Sequence, residues 1–209
     1  MRGLTGMKTQ DGILVLADIS GFTAFVTGTE LEHGPQIIGA LLEAVMRRLS
    51  PPLEIQEVEG DAVFALGADE ALPAPGYVLD AFEAAFAAFS ALRRELAADE
   101  SCSCGACRSV ERLDLKIVAH RGRFLRHAVG GHSQVAGPDV ILTHRLLKNG
   151  VTTSRAYLLV TEAMRAWLGA DPDREGLAER VESYEYLGDV RCYVRDLAPI
   201  GALESAAAA

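Results

Sequence analysis

At 209 residues the chain is long enough to bury a substantial core as one large domain. Hydrophobic residues make up 49% and aromatics only 6%, so alanine and leucine carry most of the apolar surface, which favours helices over an all-β core. A net charge of −9, from 20 basic and 29 acidic residues with no basic stripe, excludes a nucleic-acid binder that works by displacing phosphate counterions. Residues 1–9 lack the apolar run of a signal peptide. The most apolar helix-like stretch, 81–98, is interrupted by Glu83, Ser90, Arg93, Arg94 and Glu95, so no membrane span is expected. Four cysteines without a secretory signal suit a reducing compartment, and a cytoplasmic protein is expected.

Residues 13–17 form a short continuous apolar run ending at Asp18, the pattern of a strand buried on both faces. Residues 21–27 suit a short helix. Over 36–49, Ile37, Leu41, Leu42, Val45, Met46 and Leu49 recur at helical spacing, and Pro51-Pro52 stops that helix. Strands at 53–58 and 63–66 flank Glu59-Gly60-Asp61, a tight hairpin turn that puts Asp61 at or beside the tip. A loop over 67–76 leads into a long amphipathic helix at 77–98, with Phe82, Phe86 and Phe89 on its core side.

Residues 99–112 read as a loop holding three of the four cysteines. A strand at 113–119 alternates Leu115, Ile117 and Ala119 with Lys116 and Val118. Gly122 opens a turn into 123–129, and Gly130-Gly131-His132 is a flexible link. A helix at 138–148 starts at Gly137-Pro138 and ends at Asn149-Gly150. A strand at 157–160, a helix at 162–167 and a last hairpin (181–187 and 190–194, joined through Gly188-Asp189) complete the chain. The order implies an α+β fold: a mostly antiparallel sheet with helices packed on it, in the ferredoxin-like βαββαβ style. Residues 13–197 form one domain, preceded by an extension over 1–12 and followed by a frayed tail over 198–209 with nothing to pack.

Two stretches carry the chemistry. In Ala17-Asp18-Ile19-Ser20-Gly21-Phe22-Thr23 and in Glu59-Gly60-Asp61-Ala62-Val63-Phe64-Ala65, one aspartate stands at a strand end beside a glycine turn. Brought face to face, the two carboxylates make a divalent-metal site, and the N–H groups after Asp18 can hold phosphate. Glu57, Glu59 and Asp61 on one hairpin, with Asp18 nearby, repel one another unless a cation sits among them. Taken singly, each residue has a plainer reading: Asp18 as a helix N-cap, Asp61 as a turn residue, the hairpin as a solvated acidic face, and Arg145 as a solvated cation.

In order and on matching elements, three segments resemble the catalytic domain of class III nucleotidyl cyclases, in a bacterial cyclase-like subgroup, over residues 13–194. Asp18-Ile19-Ser20-Gly21-Phe22-Thr23 is similar to the first metal-binding turn, and Gly60-Asp61-Ala62 to the hairpin carrying the second metal aspartate. Gly137-Pro138-Asp139-Val140-Ile141-Leu142-Thr143-His144-Arg145-Leu146 is similar to the helix bearing the transition-state arginine. The resemblance implies Asp18, Asp61 and the Ile19 backbone as ligands to Mg²⁺, Mn²⁺ or Ca²⁺. It implies Ile19, Ser20, Gly21, Phe22, Thr23 and Gly60 around the phosphates of ATP or another nucleotide, Arg145 as the catalytic cation, and a homodimer that builds the site between two copies. The family's ribose-orienting asparagine falls on Ile141, its adenine-reading lysine on Glu57 and its adenine-reading aspartate near Gln134; Arg191 is the nearest cation to its phosphate-binding lysine. The metal and phosphate half is therefore present and the base-reading half is eroded. The expectation is nucleotide and metal binding with weak or absent cyclase activity; an active cyclase converting ATP to cyclic AMP and pyrophosphate is the alternative.

Cys102-x-Cys104-x-x-Cys107 has no counterpart in that chemistry. Three thiols so close can ligate Zn²⁺, with a fourth ligand from Cys192, a histidine or water. A disulfide or reduced thiols are equally allowed, and a zinc or thiol module on a cyclase scaffold is a further alternative.

Overall fold

The computed structural model describes residues 9–28 and 33–197. Strand β1 (Thr9–Ser20) is central, and its run from Ile13 to Ala17 is buried on both faces as its uninterrupted apolarity requires. Short helix α1 (Phe22–Thr27) and helix α2 (Gly34–Leu49) follow. A hairpin of β2 (Glu54–Glu59) and β3 (Ala62–Ala68) leads through a 3₁₀ turn (Asp69–Ala71) into the long helix α3 (Pro75–Ala98). The cysteine segment contains a short helix, α4 (Gly105–Ser109). Then come β4 (Asp114–Val129), β5 (His132–Ala136), α5 (Pro138–Leu146), β6 (Tyr157–Thr161), α6 (Glu162–Leu168), α7 (Pro172–Glu175), β7 (Ala178–Tyr184) and β8 (Gly188–Asp196).

Among the described residues, the strands form one sheet in the order β2-β3-β1-β4-β6-β8-β7, with β5 paired to β4. Every pairing is antiparallel except β4 with β6. This is the α+β architecture expected from the order of elements.

Strand alternation divides the core in two. Ile13, Val15, Ala17 and Ile19 face α2, α3 and α6, where Leu41, Val45, Phe82, Phe86, Phe89 and Met164 close the larger layer. Burying Phe82 or Phe89 in full contributes about 1.5–3 kcal/mol each. Leu14 and Leu16 face the other way and meet Phe64, Leu66, Phe124 and Val140 under α5. By the same alternation Asp18 belongs to the α5 side.

Two expectations around β4 are corrected. Gly122 is not a turn but a mid-strand residue paired with Gly12 of β1. It is needed for close approach: a Cβ there would stand 2.5 Å from Cγ of Asp139, in the first turn of α5, whose Oδ2 accepts the Arg123 N–H at 2.6 Å. Gly130 and Gly131 are not a loose link but the two-residue turn of the β4–β5 hairpin, with φ of 58° and 88°, conformations that favour glycine. The last hairpin turns over Glu185-Tyr186-Leu187 rather than at Gly188-Asp189. The expected tail at 198–209 lies outside the described residues, as do positions 1–8 of the expected extension, whereas β1 begins at Thr9.

Candidate metal and nucleotide site

Asp18 sits near the end of β1, directly opposite Lys116 of β4 and Ala62 of β3. The Ile19 N–H donates to the Asp61 carbonyl at 3.1 Å, so the β2–β3 tip closes against the end of β1 and brings the two aspartates together. Asp61 records that proximity. Burial first, and the negative charge of Asp18 second, raise its carboxyl to about 6, while a backbone hydrogen bond and the charge of Lys116 oppose the rise.

Lys116, a regular member of the alternating strand in the sequence, is brought by the β1–β4 register beside Asp18. Its Nζ lies 2.8 Å from Asp18 Oδ2, with side chains 19% and 14% exposed, and it also donates to the Leu147 carbonyl at the end of α5 at 3.4 Å. One ammonium against two carboxylates leaves a surplus negative charge among these largely buried groups. The buried Tyr157 stands close enough for Lys116 and Asp18 to affect its hydroxyl, which burial pushes above its ordinary value. That hydroxyl exchanges hydrogen bonds with Asn149 at 2.9 and 3.1 Å.

The β1–α1 turn is tight and leads straight into α1. Gly21 is the N-cap of α1 at φ 90°, with no side chain capping the helix start. The Ser20 hydroxyl is spent on the Arg155 carbonyl at 2.8 Å, and the Ile19 N–H on Asp61. The Arg155 guanidinium lies over Gly21, where any Cβ would overlap it, and donates to the Arg112 carbonyl at 2.6 Å. Phe22 packs against the main core, and the Thr23 carbonyl accepts the Thr27 hydroxyl at 2.8 Å. Gly60, at φ 60°, forms the hairpin tip with open space around it.

The remaining candidates are spread. Arg145 is exposed in the last turn of α5, two residues before the carbonyl that holds Lys116, and its side chain has no ion pair among the described residues. Ile141 on the same helix is 55% exposed. Glu57 is exposed on β2 just after a bulge, and Gln134 is exposed on β5. Arg191 pairs with Glu179 at 3.2 Å in the open.

The cysteines form a separate centre. The ligand atoms of His33, Cys102, Cys104 and Cys107 all lie within 4.8 Å of one another. His33 Nδ1 is 3.3, 3.5 and 3.6 Å from the sulfurs of Cys102, Cys104 and Cys107. Cys104 Sγ caps α4 by accepting the Cys107 N–H, and that bond is the main cause that lowers its thiol to about 7. Burial and the neighbouring sulfurs raise Cys107 to about 12. Cys192, entertained as a fourth ligand, is instead buried in the layer under α5 beside Leu159 and Val194. Of the fourth ligands expected, the histidine is the one found; which histidine it is could not be read from spacing, because His33 lies 69 residues before Cys102 in the sequence.

The comparisons agree with this architecture. The adenylyl cyclase CyaB from P. aeruginosa is similar at a TM-score of 0.63 and 16% identity, over 91% of this chain and 96% of that one. The guanylyl cyclase Cya2 gives 0.68 and 14%, over 91% and 93%. The guanylate cyclase domain of RhGC from Catenaria anguillulae, solved in complex with GTP, gives 0.60 and 14%, over 90% and 97%. The chain thus has the fold of class III nucleotidyl cyclase domains. By sequence it belongs to the family described as "Protein of unknown function (DUF2652)", whose model matches residues 38–157. A Mycobacterium tuberculosis relative described as "Uncharacterized protein Rv2561/Rv2562" is 31% identical over 160 residues, covering 76% of this chain and 72% of its own. No described helix is long and apolar enough to cross a membrane.

Proposed function

We propose that this protein binds a nucleoside triphosphate together with a divalent cation held by Asp18 and Asp61, and cyclises it slowly or not at all. The observation that carries the reading is the closeness of Asp61 to Asp18: burial first and the charge of Asp18 second raise the Asp61 carboxyl to about 6, and one lysine against two carboxylates leaves the pair short of positive charge. A Mg²⁺, Mn²⁺ or Ca²⁺ ion supplies that charge and brings polyphosphate oxygens with it. Lys116 adds a cation beside the same pocket, and Gly21, Phe22 and Thr23 offer backbone donors at the start of α1. Two solved structures of like fold, one in complex with GTP and one with ATPαS, support a nucleotide as the ligand.

The reading of weak turnover rests on what faces outward. Ile141 offers no hydrogen bond to a ribose, and Glu57 presents a negative charge where the class III cyclase resemblance expects the adenine-reading lysine. Loss of one positioned transition-state donor costs on the order of 10²–10³ in rate. The site is completed by a second copy of the chain, as the class III cyclase resemblance implies.

Calorimetry with ATP and GTP in Mg²⁺ and in Mn²⁺, alongside a cyclic-nucleotide assay in Mn²⁺, tests the proposal. Nucleotide affinity that needs the metal and disappears in Asp61→Ala, with little or no cyclic product, is the expected result. Rapid cyclic product that also disappears in Asp61→Ala assigns an active cyclase instead. No affinity under any metal removes both readings.

A further inference from the structure

We infer that His33, Cys102, Cys104 and Cys107 bind one structural Zn²⁺ that staples the segment entering α2 to the connection between α3 and β4. The inference is independent of the nucleotide reading, because no residue is shared between the two sites.

The donor set fits the metal. Zinc holds sulfur at about 2.3 Å and imidazole nitrogen at about 2.0–2.1 Å in a tetrahedron, which puts each sulfur about 3.6 Å from the nitrogen. The distances found are 3.3, 3.5 and 3.6 Å. Three thiols converging on one imidazole nitrogen supply four protein ligands, the closed coordination of a structural site rather than the open one of a catalytic site. The Cys107 N–H directed at Cys104 Sγ is the kind of outer hydrogen bond that orients a ligand and stabilises its thiolate. All the cysteines are free thiols, and the three in the cluster are half-buried, open enough for a metal to enter.

The placement explains what the staple does. His33 is the N-cap residue of α2, yet its side chain makes no cap hydrogen bond and turns instead to the sulfurs. Cys104 and Cys107 pack against the main core, and between them Ala106 is fully buried, so the metal ties an anchored turn to the start of α2. The connections it joins lie 69 to 74 residues apart in sequence.

The test uses the full chain, purified under reducing conditions. One zinc per chain is expected by elemental analysis. X-ray absorption at the zinc edge is expected to give a first shell of three sulfurs and one nitrogen. Replacement by Co²⁺ is expected to give thiolate-to-metal charge transfer and the strong d–d bands of a tetrahedral ion. His33→Ala, which removes a direct ligand, is expected to weaken Co²⁺ binding by at least the roughly 100-fold that loss of a ligand's outer partner can cost, and Cys192→Ser to leave it unchanged. Absorption on the wild type needs no variant to fold. A shell without three sulfurs, a disulfide among the three cysteines in reductant, no Co²⁺ uptake, or a Cys192→Ser variant that loses the metal would each overturn the assignment.

Discussion

Lys116 and Asp18 are direct cross-strand neighbours on β4 and β1, and their charged atoms meet at 2.8 Å, near enough to Asp61 for both to act on its carboxyl. The lysine therefore does two things at once. It offsets one of two carboxylates that must share a small volume, and it ties the end of β1 to the end of α5 through the Leu147 carbonyl.

Removing that ammonium leaves Asp18 without its partner. Lys116→Met is expected to destabilise the protein by about 1–3 kcal/mol, between the limits for exposed and for fully buried pairs. It also removes an influence that lowers Asp61, so that carboxyl climbs further. Adding Asp18→Asn in the same chain is expected to recover much of the loss. Urea unfolding of the two single variants and the double variant checks this; strictly additive effects would show that the ion pair has no coupling of its own.

Asp61 gives the pH dependence. Its carboxyl is raised from 3.8 to about 6 in the folded protein, so the native state holds that proton more tightly than the unfolded chain does. The stability this contributes is fully present below about 4 and is lost as pH rises through about 6. Asp61→Asn, which cannot ionise, is therefore expected to stabilise the metal-free protein relative to wild type at pH 8, with the difference closing at pH 4. Thermal unfolding across that range measures it. Divalent-metal binding at the pair is expected to run the opposite way, weakening by about tenfold per pH unit below 6 because the ion must displace the proton.

Local pattern made most of the fold legible. Strand β1, the helical spacing of α2 and the phenylalanines of α3 each declare a buried face within a dozen or so residues. The two aspartates stand out in the sequence for the same reason, since each carboxylate stands beside a glycine turn at the end of an apolar run, and the Ile19–Asp61 hydrogen bond brings those two ends together. Lys116 was hidden by its regular place in an alternating strand, where a lysine usually faces water; only the register that sets it opposite Asp18 gives it a role. His33 was hidden by distance along the chain. Gly122 read as a turn because glycine punctuates most loops, and only the approach of Asp139 explains it.

Gly122 and Gly39 turn that last point into a paired prediction. Both are internal to regular elements, where alanine is by propensity the better residue. At Gly122 the added Cβ would meet Asp139 Cγ at 2.5 Å and Cβ at 2.6 Å, so α5 has to shift away from the sheet. Gly122→Ala is expected to cost about 1–3 kcal/mol, the usual range for overpacking. At Gly39, inside α2, nothing lies within 4 Å of the added atom. Gly39→Ala is expected to stabilise by about 0.4–1 kcal/mol, by restricting the unfolded chain. Urea titrations of the two variants read both signs in one experiment. Equal effects would mean that neither the contact with Asp139 nor the open face of α2 governs these positions.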